Sequence, residues 1–168
     1  DGEPLSAVHI PLPSDSSTTY GAFSPDGGML SYTESHALTE PSQFFLARSD
    51  AAGRLLFTKM LKAADINVRV NCALLRDDGS TTLYGTATRT ARKYFAVFRL
   101  DLDAQGNVAA LDVRDFTTHA TYLYAVRLDA LGNAYAVAQD YKHPIAVVPF
   151  DALPVCDNPG LTLTNGGI

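Results

Sequence analysis

The chain has no tryptophan, two cysteines and two methionines among its 168 residues. Without tryptophan it has no indole to serve as a stacking platform for a sugar ring. Two cysteines, Cys72 and Cys156, are too few for a disulfide-dense scaffold or a cysteine-rich metal site. The pair leaves open a disulfide or two unrelated thiols, with Cys72 at a position suited to a buried strand. Cations are scarce as well: 13 Lys and Arg against 18 Asp and Glu give a net charge of −5, unlike the clustered basic surface that binds nucleic acid. The densest cations are Arg89, Arg92 and Lys93, which read as a solvated loop. No apolar run approaches the ~18 residues of a membrane-spanning helix.

What the chain does have is periodicity. Residues 21–28 (GAFSPDGG) return 52 positions later as 73–80 (ALLRDDGS) and 52 later again as 125–132 (AVRLDALG). Halfway between lie 50–54 (DAAGR) and 103–107 (DAQGN), so that Gly27, Gly53, Gly79, Gly106 and Gly132 recur every 26 or 27 residues. Each follows an Asp within three positions. Glycine supplies the positive φ of a tight hairpin, and aspartate closes the turn through its side chain. The flanking segments 29–33, 44–48, 55–59, 82–86, 94–98, 134–138 and 145–148 are rich in β-branched and aromatic residues and read as strands. Two hairpins per 52 residues means four strands per repeat, the make-up of one propeller blade.

The expected fold is therefore all-β: a β-propeller segment of about three four-stranded antiparallel blades, belonging to a larger propeller. Residues 1–150 form the blades. Residues 1–19 hold an orphan outer strand and a link, 20–71 blade one, 72–123 blade two and 124–150 a partial blade three. Residues 151–168 read as a C-terminal tail or linker to a further module. Tyr32, Tyr84 and Tyr135 take similar places in the second strand of each blade. Residues 2–8 sit 51 positions before the turn and outer strand of blade one, which suggests an outer strand separated from its blade. The proline of 151–154 (DALP) opposes a fourth strand in blade three. Almost no helix is expected; residues 59–66 are the one stretch with room for a short helical turn, through Lys62, Ala63, Ala64 and Asp65.

Candidate chemistry is sparse. Asp101, Asp103 and Asp112, with Gly106 between, resemble an EF-hand calcium loop. The repeat argues otherwise: Arg48 with Asp50 and Arg127 with Asp129 take the places of Asp101 with Asp103, so the recurring element is the hairpin. The four histidines, His9, His36, His119 and His143, are scattered. His36 and His143, with Glu34, Glu40 and Asp140, fall near loops between second and third strands, which gather on one propeller face. Their spacing shows neither a Ser-His-acid arrangement nor a defined acid pair. No catalytic, cofactor-binding or metal-binding residue is assigned, and no cofactor is expected.

Residues 44–61 (FFLARSDAAGRLLFTKML), 95–108 (FAVFRLDLDAQGNV) and 129–136 (DALGNAYA) resemble the repeats of bacterial secreted β-propellers, the SBBP-like repeats. Such repeats occur in large surface proteins, often of Bacteroidetes and often exported by type IX secretion. The resemblance covers roughly residues 20–150; it departs where Phe57 or Ala110 replaces the usual tryptophan after the second turn. It implies an extracellular or cell-surface, non-enzymatic scaffold, adhesion or protein-interaction module. Its partners would be other chains or further domains of the same polypeptide, with no nucleic acid and no membrane span. A fragment of a propeller-fold glycan-active enzyme, or a structural subunit of a larger surface assembly, are the alternatives.

Overall fold

A computed structural model of the chain describes residues 16–35, 43–63, 67–89, 94–116, 122–139, 145–156 and 163–166. Most of these residues are strand. The first sheet holds β1 (Ser16–Phe23), β2 (Met29–Ser35), β3 (Gln43–Ser49) and β4 (Leu55–Ala63) in sequence order. The second holds β5 (Asn67–Leu75), β6 (Thr81–Arg89), β7 (Tyr94–Leu102) and β8 (Val108–Asp115). The third has three strands, β9 (Tyr122–Leu128), β10 (Ala134–Gln139) and β11 (Ala146–Pro149). Every pairing is antiparallel.

One feature corrects the sequence-based expectation. A last strand, β12 (Leu163–Gly166), joins the first sheet as a fifth strand beside β4, in register from Leu163 opposite Ala63 to Gly166 opposite Met60. The expectation of almost no helix agrees with this stretch: Lys62 and Ala63 continue β4, and Ala64 and Asp65 lie outside the described residues. Pairing with Leu163 and Thr164 on one side and with Gln43 on the other commits this backbone to a ladder. The described helical structure is a 3-10 turn, Phe150–Ala152.

The five hairpins form as expected. Gly27, Gly53, Gly79, Gly106 and Gly132 have φ between 77° and 88°. Asp50 Oδ1 accepts from the amides of Ala52 and Arg54, Asp103 Oδ1 from Gln105 and Asn107, and Asp129 Oδ1 from Leu131 and Asn133. Asp26 and Asp78 each take one such amide, from Gly28 and Ser80. In antiparallel sheets of this order all five turns lie at the same end of their strands. The repeat register needs one adjustment. Tyr32 and Tyr84 stand five residues after Gly27 and Gly79 and are buried, whereas Tyr135 stands three after Gly132, one row nearer the turn.

The middle sheet is apolar on both faces because it lies between the other two. β5 runs against β1 and β2, and β9 against β5, β6 and β7. Toward the first sheet, β6 to β8 present Leu83, Ala87, Ala96, Phe98, Leu100, Leu102 and Val113, which meet Leu30, Tyr32, Phe44, Leu46 and Leu61. Toward the third they present Tyr84 and Val97, which meet Val126, Ala136, Ala138 and Phe150. Alternation along each strand produces this division: Leu83 and Tyr84 are neighbours in sequence but belong to different cores. Each fully buried leucine or phenylalanine contributes about 1.5–3 kcal/mol over its exposed state.

Candidate functional site

Polar side chains that cross from one sheet to the next are few and specific. Arg48, buried on β3, donates to Thr81 Oγ1 at 3.1 Å and to the Gly79 carbonyl. Lys59 on β4 donates to Asn107 Oδ1 at 3.0 Å, joining the first sheet to the outer hairpin of the second. The second and third sheets meet at a β-bulge between Val70 and Cys72. The bulge re-aims Asn71, whose Oδ1 accepts from the Val126 amide at 3.0 Å, while the Cys72 thiol donates to the Val126 carbonyl at 3.6 Å.

The chain after β11 does not leave the molecule. The Phe150–Ala152 turn delivers Leu153 and Pro154 to the outer edge of β8. There the Asp115 amide donates to the Pro154 carbonyl at 2.9 Å and the Cys156 amide to the Val113 carbonyl at 3.0 Å. Proline is admitted because it only accepts here. Arg114 fastens the same stretch: it donates to the Leu153 carbonyl at 3.1 Å and its guanidinium lies 5.5 Å from the centre of the Phe150 ring. The Phe150 ring in turn meets Tyr84 edge-on at 5.7 Å. Farther along, β12 lies on β4. The C-terminal stretch thus touches the outer edges of two sheets in turn.

The residues of the calcium-like loop are spent on the fold. Asp101 Oδ1 accepts from Thr82 Oγ1 at 2.6 Å, and its Oδ2 lies 3.3 Å from Arg99 Nε as an ion pair without hydrogen-bond geometry. Asp103 closes its hairpin, and Asp112 holds Arg114 through both carboxylate oxygens at 2.9 Å. Asp103 is held below the ordinary carboxylate range by the Asn107 side chain and then by the Asn107 amide. Asn133 does the same to Asp129, and the Arg54 amide does so to Asp50. Among the described residues no three His, Cys, Asp or Glu side chains converge as a metal site.

Cys72 and Cys156 are both free thiols. They pack against different cores, Cys72 with the second and third sheets and Cys156 with the first and second. Burial pushes the Cys72 thiol up to about 11, the opposite of what a nucleophilic cysteine needs. His9, His36, His119, His143, Glu40 and Asp140 lie outside the described residues, as do Arg92 and Lys93. Of Glu34 and Arg89 the backbone alone is described, at the ends of β2 and β6. Among the described residues no helix is long and apolar enough to cross a membrane.

Sequence reasoning did not single out Arg48 as a tie between sheets, nor Asn71, Gly85, Arg114 or Phe150. Gly85 pairs with Phe98, and a Cβ placed on it would stand 2.5 Å from the Phe98 ring and against the Arg69 carbonyl. A glycine inside a β-rich run is the one local signal that could have marked this close approach. No protein-family model matches the chain, and no curated protein or solved structure matches it.

Proposed function

We propose that this chain is a stretch of a larger β-propeller in a secreted or cell-surface protein, working without catalysis as a scaffold, adhesion or protein-interaction module. The observation that carries the reading is the stacking of three successive sheets in the order of a 52-residue repeat, with an apolar face still open at the third. On the face of β10 and β11 turned away from the second sheet, Val147 is 59% exposed, and Ile145, just ahead of β11, is 67% exposed. The corresponding faces of the first and second sheets are covered by the sheet that follows. A further sheet is the natural neighbour for such a surface.

The resemblance to bacterial secreted propeller repeats supports the same assignment and supplies the extracellular setting. The described polar residues support the non-catalytic part, since their hydrogen bonds go to turns and to ties between sheets. The reading as a structural subunit of a larger surface assembly is favoured by the same open face, with the covering sheet then supplied by a separate chain.

Hydrogen exchange and sedimentation together test the proposal. The amides of β10 and β11 should exchange faster than those of β6 and β7, and should slow when the neighbouring sheet is present. A monodisperse monomer with the third sheet protected as well as the second would overturn it. Release of reducing sugar from a polysaccharide panel would move the assignment to the glycan-active alternative.

A further inference from the structure

Two of the five hairpins differ from the others in where their aspartate stands. Asp50, Asp103 and Asp129 open their turns three residues ahead of the glycine, and each is followed by alanine. Asp26 and Asp78 instead sit directly before Gly27 and Gly79. Where glycine follows aspartate, no Cβ shields the next amide nitrogen from the aspartate side-chain carbon. Asp26 and Asp78 are both exposed, so water reaches them. In the folded turns the reacting groups are otherwise engaged. The Gly27 amide donates to the Ser24 carbonyl at 2.9 Å, and the Gly79 amide to the Arg76 carbonyl at 3.1 Å. The carboxylates accept from the amides one residue farther on, Gly28 at 3.1 Å and Ser80 at 2.8 Å.

We infer that the Asp26–Gly27 and Asp78–Gly79 bonds are sites of spontaneous isoaspartate formation, gated by opening of their hairpins, with Arg48 holding the gate at Asp78. The glycine nitrogen attacks the aspartate Cγ; a C–N bond forms, and water leaves with the amide hydrogen and the carboxyl hydroxyl. Water then adds at the main-chain carbonyl of the ring. That C–N bond breaks, the nitrogen regains a hydrogen, and the chain continues through the side-chain carbon. Water is the only co-reactant. Attack requires the amide to leave its carbonyl partner and the carboxyl to leave its amide. At Asp78 a tie from the first sheet must also yield, because Arg48 donates to the Gly79 carbonyl and to Thr81 Oγ1 at 3.1 Å. Asp26 is held by the Ser24 hydroxyl, a bond within its own turn, so its gate is local. The product lengthens the backbone ahead of Gly79, where a Cβ would already stand 2.9 Å from Ala104 Cβ. It thereby displaces the carbonyl that Arg48 holds and loosens the seam between the first and second sheets. This inference concerns the turns and does not depend on the propeller reading.

The test incubates the 168-residue chain at neutral pH in heavy-oxygen water, folded and in urea, and maps its peptides by electron-transfer fragmentation. Each opening of the ring leaves a heavy oxygen at the aspartate. Label and isoaspartate are expected at Asp26 and Asp78 ahead of Asp50, Asp103 and Asp129, and about tenfold or more slower in the folded chain than in urea. A folded Arg48→Met chain should label Asp78 about tenfold faster and Asp26 much less so. Ser24→Ala, which leaves the seam intact, should speed Asp26 alone. Equal rates in the folded and urea-treated chains, equal labelling of the aspartates that precede alanine, or an equal rise at Asp26 and Asp78 in either variant would each overturn the inference.

Discussion

Arg48 on β3 and Thr81 on β6 are joined across the first and second sheets by a hydrogen bond of 3.1 Å, and the same guanidinium also takes the Gly79 carbonyl. Arg48 is 4% exposed, so a charge is buried against neutral acceptors at the seam between two sheets. Arg48→Met should therefore destabilise by about 1.5–3 kcal/mol, because hydrogen bonds to a buried charged group are lost and the Gly79 carbonyl is left unpaired. Arg54→Ala, at an exposed ion pair with Asp50, should cost under about 1 kcal/mol. Equal urea midpoints for the two variants would remove Arg48 from this role.

Gly106 and Gly132 separate backbone strain from crowding. Both have positive φ, 77° and 84°. A Cβ on Gly106 would meet the Phe57 ring at 2.7 Å, whereas on Gly132 the nearest atom is Leu74 Cδ2 at 3.9 Å. Gly132→Ala should cost about 1–2 kcal/mol from the left-handed backbone alone. Gly106→Ala should cost more, and Phe57→Ala should recover part of that excess. Additive effects of Gly106→Ala and Phe57→Ala in a double-mutant cycle would show that the ring is not the obstacle.

The hairpin aspartates make stability depend on acid. Asp50, Asp103 and Asp129 are held below the ordinary aspartate value of 3.8 by the bonds they accept. A depressed carboxyl contributes stability that is present above its unfolded value and lost as pH falls through its folded value. Stability should hold steady above pH ~5 and decline below ~4. Replacing all three by asparagine keeps an oxygen acceptor in each turn and should flatten this decline. An unchanged acid profile in that triple variant would mean that other groups dominate.

Cys72 should be a slow thiol. Its value of about 11 and its place against the second core leave little thiolate at pH 8. Alkylation in the native state should lag that of the unfolded chain by about tenfold or more. Mobility on a denaturing gel should not depend on reductant, since both cysteines are free. Fast native labelling at Cys72 would show that β5 and β9 separate readily.

Residues that act on near neighbours are legible in the sequence alone. Asp103 bonds amides two and four positions ahead, and Gly106 bends the chain within the same turn, so five residues carry the whole instruction. Strand identity follows similarly, because side-chain alternation is local; Leu83 and Tyr84 declare two faces without naming what lies on either. The seams are not legible in this way. Arg48 meets Gly79 and Thr81, and Asn71 meets Val126, across separations that no pattern in either strand encodes.

The sequence by itself determined the hairpins, most of the strands and the succession of the sheets along the chain, because turn chemistry and pleat alternation act within a few residues. Tertiary structure alone decided the path of the C-terminal stretch. Residues 151–154 read as a strand-breaking linker, yet Pro154 lends its carbonyl to Asp115 and β12 extends the first sheet beside β4. That outcome required Arg114 and Phe150 to stand together and the edges of β8 and β4 to be open. Backbone groups on an open edge accept any strand brought to them, so the choice belongs to position in space and leaves no mark in the residues that make it.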